Sequence, residues 1–416
     1  MESREDWLFP VLSFSLFDLW LLVFPFEGFL LPPDLRTSLT AVFIVFHAFG
    51  YFFIFSSLPG GHFDSISRFF TSVSAFITTL FPFITHFSLR LFLFALLGFS
   101  SSFILSRIAL ALARSSSPLL LSAVSLSIAN LLVLLLFHLF TVESSSFILP
   151  LLGLSLASAL LIPGGGYGKG VLSRELLLRV PLVFLLYFFI ATSYIQLSKY
   201  YSWFSAGGFD ALLYVLGVIL AFLLYRKWQE GALITAILSL IALIGFLFTL
   251  FKGSVAPFLL ALVQLVAGFN DIYALSLAFR SINVLRSFSL FMGVSLLGAF
   301  AGLPMVFSDW WVKGASKILF FIMALIFVAL YFSGILDGRK EEKKGIEELL
   351  RRKGVFKESF SKREWEVLTG ILEGKSFKEI SQELGISQST VRTYSFRVYS
   401  KLGVGSKKEL IRKLKE

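Results

Sequence analysis

The sequence predicts an all-α chain in two parts. The first is a polytopic membrane bundle of about 12 transmembrane helices in two six-helix halves. The second is a C-terminal four-helix domain. Two observations carry this. The 416 residues are 56% hydrophobic and include 50 Phe, with a mean hydropathy of +0.84, more apolar surface than a soluble chain of this length requires. The last stretch, from about residue 356, abandons that composition. It carries three Ser-x-x-Glu helix-start signals instead.

Taken in order, Met1 to Asp6 is polar, and an apolar run follows to about Leu31. The run is too long for a signal-peptide core and no small-residue cleavage site follows it, so it reads as a retained span. A span needs roughly 20 apolar residues. On that ruler spans fall at about 8–31, 37–58, 69–88, 90–113, 118–140, 146–163, 176–198, 208–225, 231–251, 254–279, 284–306 and 316–336. Pro163 to Gly170 is glycine-rich and reads as a flexible joint between halves 1–163 and 176–336. It does not fit a phosphate-binding loop, because Pro163 and Gly170 stand where Gly and Ser or Thr are needed.

Cations test the topology. With the N-terminus inside, the cytoplasmic turns hold Arg68, Arg114, Lys169, Arg174, Arg226, Lys227 and Arg286. The external turns hold Arg36, Arg90, Lys199, Lys252, Lys313 and Lys317. The bias favours the cytoplasm. An even span count then returns the C-terminus to the cytoplasm. The expected location is a bacterial cytoplasmic membrane.

Residues 1–336 are therefore expected to form the membrane domain and 337–355 a charged linker. Within the linker, Ile346 to Lys353 has the makings of a short helix. A solvated linker is the simpler reading. A coupling helix on the membrane surface, or one paired with its copy, is the sharper one.

Much chemistry is excluded. No cysteine is present, and His47, His62, His86 and His138 share no ligand spacing, so no metal and no cofactor is expected. No nucleophile–His–acid set suggests an enzyme. Charge inside the membrane is costly, about 2.5–3.5 kcal/mol per group on insertion scales, and usually faces a cavity or a partner. Asp18 and Glu27 lie in the first span, Arg107 in the fourth and Asp271 in the tenth, with Asn130, Gln196, Gln264 and Asn270 nearby in the same sense. The plainer alternatives are snorkelling for Arg107 and Glu27 and a helix–helix bond for Asp18.

In residues 356–416, Ser361, Ser376 and Ser406 each precede Glu by three residues and open amphipathic segments. Gly385-Ile386 separates the segment 376–384 from Ser387 to Leu402, and Ser387 can cap the latter. Helix, three-residue turn, helix is a helix-turn-helix plan. Val391, Val398 and Leu402 share one face of the second helix. Gln388, Thr390, Arg392, Tyr394, Arg397 and Lys401 occupy the others, suited to base edges and phosphates of double-stranded DNA. Lys378 and Lys401 fit phosphate contacts. A small helical domain that binds protein is the competing reading.

This region resembles the LuxR/GerE-type output domain of bacterial transcription factors. The resemblance lies in Ser361, Arg363, Glu364, Glu366-Val367-Leu368, Gly374, Lys378-Glu379-Ile380, Leu384, Ile386-Ser387, Thr390-Val391-Arg392, Lys401-Leu402-Gly403-Val404 and Glu409-Leu410. Phe377 and Tyr394 depart, standing where the family usually has Asn and His. The resemblance implies that the third helix, with Ser387 and Val391 near its start, enters the major groove. It also implies that the fourth helix, around Leu410 and Leu414, contributes to a homodimer. The membrane part, with its central joint and its Gly60-x-x-x-Asp64-x-x-Ser67-Arg68 segment, resembles the major facilitator superfamily. In that arrangement the first, fourth, seventh and tenth spans line a central cavity, so the resemblance makes Asp18, Arg107 and Asp271 candidates for a ligand pocket. Gly98-Phe99 and Gly268-Phe269 in spans four and ten echo each other.

The expectation is a membrane-bound one-component transcription regulator that senses a small molecule or a membrane condition. The alternatives are a secondary transporter with a regulatory DNA-binding tail, and a tether whose bundle answers to a protein partner.

Overall fold

A computed structural model describes residues 7–26, 28–57, 62–115, 117–136, 139, 143–163, 172–198, 209–251, 256–281, 283–302, 346, 350 and 353–415. Glu27, His138, the glycine joint from 164, most of the expected linker and the span expected at 316–336 lie outside them. The chain divides into two compact units, one membrane-like and one C-terminal.

Long apolar runs become helices because only internally bonded backbone survives in hydrocarbon. The first unit is built from α1 (Leu8–Leu21), α2 (Pro33–Ser57), α3 (Phe63–Leu80), α4 (Phe87–Leu112), α5 (Pro118–Leu136) and α6 (Ser145–Leu156). After these come α7 (Arg174–Leu178), α8 (Val180–Ser198), α9 (Phe209–Phe251), α10 (Ala256–Arg280) and α11 (Val284–Gly302). Among the described residues, nine helices are long and apolar enough to cross a bilayer. The first span is shorter than its apolar run. After α1 the backbone widens into a π-turn, Leu22–Phe26, where Pro25 has no N–H to give, and Gly28 turns the chain with φ +67°.

The two spans expected at 208–225 and 231–251 are one assigned helix, α9, of 43 residues. At 1.5 Å per residue that is about 65 Å, twice a hydrocarbon core of about 30 Å. Gln229 breaks it with a left-handed backbone, φ 66°, directly after Arg226-Lys227-Trp228. The charged turn is therefore a kink and not a loop.

Glycine sets the closest helix contacts. A Cβ at Gly98 of α4 would sit 2.4 Å from the Phe43 carbonyl oxygen of α2, and one at Gly50 of α2 would sit 2.7 Å from that of Phe99. The second half repeats this. A Cβ at Gly268 of α10 would meet the Tyr214 oxygen of α9 at 2.5 Å, and one at Gly217 would meet that of Leu265 at 2.2 Å. The two Gly-Phe echoes thus mark equivalent backbone-to-backbone packings. His47 sits in the first of these seams, with Nδ1 3.0 Å from the Gly98 oxygen and 2.7 Å from Ser101 Oγ.

The C-terminal unit holds α12 (Lys362–Leu372), α13 (Phe377–Leu384), α14 (Gln388–Leu402) and α15 (Lys407–Lys415). Ser361 with Glu364 and Ser376 with Glu379 form complete reciprocal capping boxes. The third is half formed. Ser406 Oγ accepts from the Glu409 N–H at 3.2 Å, but the Glu409 carboxylate takes the Gly405 N–H at 2.8 Å. Gly385 and Gly403 end α13 and α14 in the left-handed conformation that glycine adopts without penalty. Trp365, Leu368, Ile371, Ile380, Val391 and Val398 form the core. Ile346 and Leu350 belong to it as well, although the sequence reading put them in a solvated linker. Leu350 is fully buried, and its carbonyl accepts from Val355 N at 2.8 Å.

Candidate DNA-reading face and intramembrane acidic site

Helix α14 is fixed at both ends. Ser387 Oγ accepts from the Thr390 N–H at 3.1 Å, and Gly403 closes the C-terminus. Val391, Ser395, Val398 and Tyr399 point inward. The three-residue turn Gly385 to Ser387 joins α13 to α14 as expected.

Burial sorts the expected contact residues. Lys378, Gln388, Arg392 and Arg397 are exposed, and Arg397 stands over the Tyr394 ring at 5.7 Å. Ser387 is exposed, but its hydroxyl serves the cap. Thr390 and Tyr394 are half-buried, Tyr394 against the core. Three expectations are corrected. Val391 is fully buried, so it holds the helix to the domain and cannot reach a base. Lys401 donates to Glu364 Oε2 at 2.7 Å and to the Ser359 carbonyl at 3.1 Å, and it lies over Phe360. Its charge ties the end of α14 to the start of α12 and already has an anionic partner. Leu410 and Leu414 pack into the domain's own core, so they are unavailable as a dimer surface. The Lys401 ammonium, and after it the Ser361 backbone N–H, hold the Glu364 carboxyl below its usual range.

The membrane unit separates its three candidates in the same way. Arg107 is held by hydrogen bonds within the bundle. Its guanidinium donates to Asp64 Oδ1 at 2.6 Å, to Ser67 Oγ at 3.1 Å and to the carbonyls of Ala159 and Ile162. Asp64 also accepts from Arg68 at 3.1 Å. Arg107 is thus a clamp joining the starts of α3 and the ends of α4 and α6, centred on the Asp64 segment singled out in the sequence.

Asp271 differs. On α10 it accepts from Tyr187 of α8 and from Tyr214 of α9. No Lys or Arg bonds it among the described residues. Nearby, Asp210 accepts from Tyr194 at 3.1 Å and from Gln264 at 3.4 Å. Tyr187 and Tyr194 are seven residues apart, as are Gln264 and Asp271, so two acid–phenol layers are stacked along the same three helices. Asp18 of α1 is buried, and one carboxylate oxygen has no hydrogen-bond partner among the described residues. It is close enough to Asp271 to act on it electrostatically. The two expected acids therefore share a neighbourhood.

A family model described as bacterial regulatory proteins, luxR family, matches residues 358–414. The C-terminal domain is a LuxR-type helix-turn-helix. Comparison with curated proteins gave no match. Among solved structures, the human organic anion transporter MFSD10 (TETRAN) is similar with TM-score 0.53 and 16% identity, over 81% of this chain and 100% of that one. A bacterial homologue of the iron transporter ferroportin, in its outward-facing state, gives 0.51 and 14%, over 81% and 98%. The N-terminal region thus has the fold of major facilitator transporters, fused to a LuxR-type domain that implies DNA binding.

The sequence reading missed several residues. On the LuxR-type domain, Ser389, Thr393 and Phe396 are exposed opposite the buried stripe of α14. Extending the helical period from Val391 and Val398 would have marked them. In the membrane unit, Tyr187, Tyr194, Tyr214 and Asp210 escaped notice. Their only local signal is the seven-residue tyrosine spacing within an apolar span.

Proposed function

We propose that this chain is a membrane-bound one-component transcription regulator. One observation carries the reading. A LuxR-type domain with an exposed, cationic groove face is covalently joined to a bundle that keeps carboxylates inside its apolar body. Arg392, Gln388 and Arg397 contact DNA, with Lys378 on a phosphate. The bundle binds a small molecule at Asp271, Tyr187, Tyr214 and Asp18. An acid-and-phenol lining with no Lys or Arg bonded to Asp271 among the described residues favours a ligand that brings positive charge or hydrogen-bond donors. That ligand changes the availability or pairing of the DNA-binding domains only through unequal affinity for two bundle conformations. Both termini lie in the bacterial cytoplasm, the protein acts as a homodimer, and it needs neither cofactor nor catalysis. The test is sequencing of DNA that copurifies with the full-length protein from membranes. Enrichment of promoter fragments, the protein's own neighbouring promoter among them, supports the reading, and recovery of random DNA sinks it.

The transport fold favours a second reading, a secondary transporter with a regulatory DNA-binding tail. Uptake of a solute into proteoliposomes that is lost in Asp271→Asn would decide for it.

A further inference from the structure

We infer that Phe396 reads a thymine 5-methyl group in the major groove. The inference rests on the DNA-binding reading of α14 and adds a base preference to it. Phe396 is 66% exposed. It lies on the side of α14 opposite Val391, Val398 and Leu402, in line with Ser389 and Thr393 at helical spacing. Among the described residues its ring has an edge contact with Tyr399, at a centroid distance of 6.3 Å.

The exposure is unlike that in the membrane unit. The exposed phenylalanines of the membrane unit, such as Phe69, Phe76 and Phe92, sit on apolar spans. Phe396 sits on a polar helix whose apolar stripe is already used by the core. The surroundings specify the partner's charge. Arg392, one turn earlier, and Arg397, the next residue, are both exposed, and among the described residues neither is placed in an ion pair. A polyanion suits that frame, and a bare apolar surface does not.

A phenyl ring has no hydrogen-bonding group for a base edge. The apolar feature that a base pair presents in the major groove is the thymine methyl. Phe396 therefore favours thymine over cytosine at one pyrimidine, while Arg392 and Arg397 hold the helix in register through guanine edges or phosphates.

The test uses the full-length protein in lipid nanodiscs and duplexes that it enriches from a random pool. In the tightest duplex each thymine is replaced singly by deoxyuridine, which removes only the methyl group. Wild type should lose about fourfold in affinity at one thymine per half-site, the worth of one buried methyl. Phe396→Ala should bind the parent duplex about fourfold more weakly and show no further loss on the deoxyuridine duplex. Phe396→Leu should keep part of the sensitivity, and both variants should retain the wild-type salt dependence on random DNA. Equal affinity of wild type for every deoxyuridine duplex overturns the inference. So does undiminished methyl sensitivity in Phe396→Ala. Failure of wild type to enrich any duplex removes the DNA-binding reading, and this inference with it.

Discussion

Arg107 and Asp271 are both charged groups within membrane helices, and they are treated in opposite ways. Arg107 is saturated: its side chain is 4% exposed and donates to a carboxylate, a hydroxyl and two backbone carbonyls. Asp271 is half-buried and held by two phenols, which supply hydrogen bonds but no opposite charge. The LuxR-type domain repeats the contrast. Lys401 is tied to Glu364, whereas Arg392 on the same helix is left open. In both units the cation answered by an anion fastens helices together. The group without an opposite charge is, in each unit, the one that the proposed function uses.

Four measurements break or sharpen that contrast. The largest effect is expected from Arg107→Met, which leaves Ser67 and two carbonyls without their donor and Asp64 with Arg68. Removing one partner of a fully buried pair costs about 3–5 kcal/mol; Asp64 is 33% exposed and keeps Arg68, so the loss should fall toward the low end of that range and the membrane unit should unfold at lower temperature in detergent. Asp64→Asn in the same protein should recover part of the loss. A variant as stable as wild type would return Arg107 to the pocket.

Next comes Arg392→Ala. Its affinity for a selected duplex should fall by about 1–3 kcal/mol if the side chain reads a base. If it meets only phosphate, the loss should be uniform across sequences and the salt slope smaller by about one unit. Thermal unfolding should not move in either case.

Lys401→Met should do the reverse. A half-exposed ion pair contributes up to about 1 kcal/mol, so amide exchange across 362–402 should quicken while the salt slope of DNA binding stays unchanged. The pH dependence has a definite sign. Glu364 is depressed in the folded state, so its stabilisation is complete above its unfolded value of about 4.3 and is lost as pH falls through the folded one. Acidification below about pH 4.3 should destabilise wild type more than Glu364→Gln. An identical acid profile would show that the Lys401 bond does not persist in solution.

The smallest effect on stability belongs to Asp271→Asn. An amide oxygen can still accept from Tyr187 and Tyr214, so unfolding should shift by less than about 1 kcal/mol. The ligand response, read from a promoter reporter, should nonetheless be lost. Retained response with large destabilisation would make Asp271 structural.

What was legible in the sequence follows the range of the interactions. The caps at Ser361, Ser376 and Ser387 and the turn at Gly385 are settled within three or four residues, and all appear as expected. The Asp64–Arg107 clamp spans 43 residues, Lys401–Glu364 spans 37 and Tyr187–Asp271 spans 84. No local pattern encodes such pairings, so Arg107 read as pocket and Lys401 as a phosphate ligand. Leu410 and Leu414 fail differently. An apolar stripe is visible in sequence, but a small domain's own core competes with any partner for it, and here the core wins. Ile346 and Leu350 were hidden by the charged residues around them.

The paired glycines of α2 with α4 and α9 with α10 have a mechanical consequence. Where backbone lies on backbone, no side chain can change rotamer to absorb sliding, so each pair behaves as one stiff plate. Relative movement of helices is then expected at seams other than these two. A methyl group at Gly50, Gly98, Gly217 or Gly268 would pry a plate apart, and a full substitution scan should find these four positions intolerant of every residue larger than glycine.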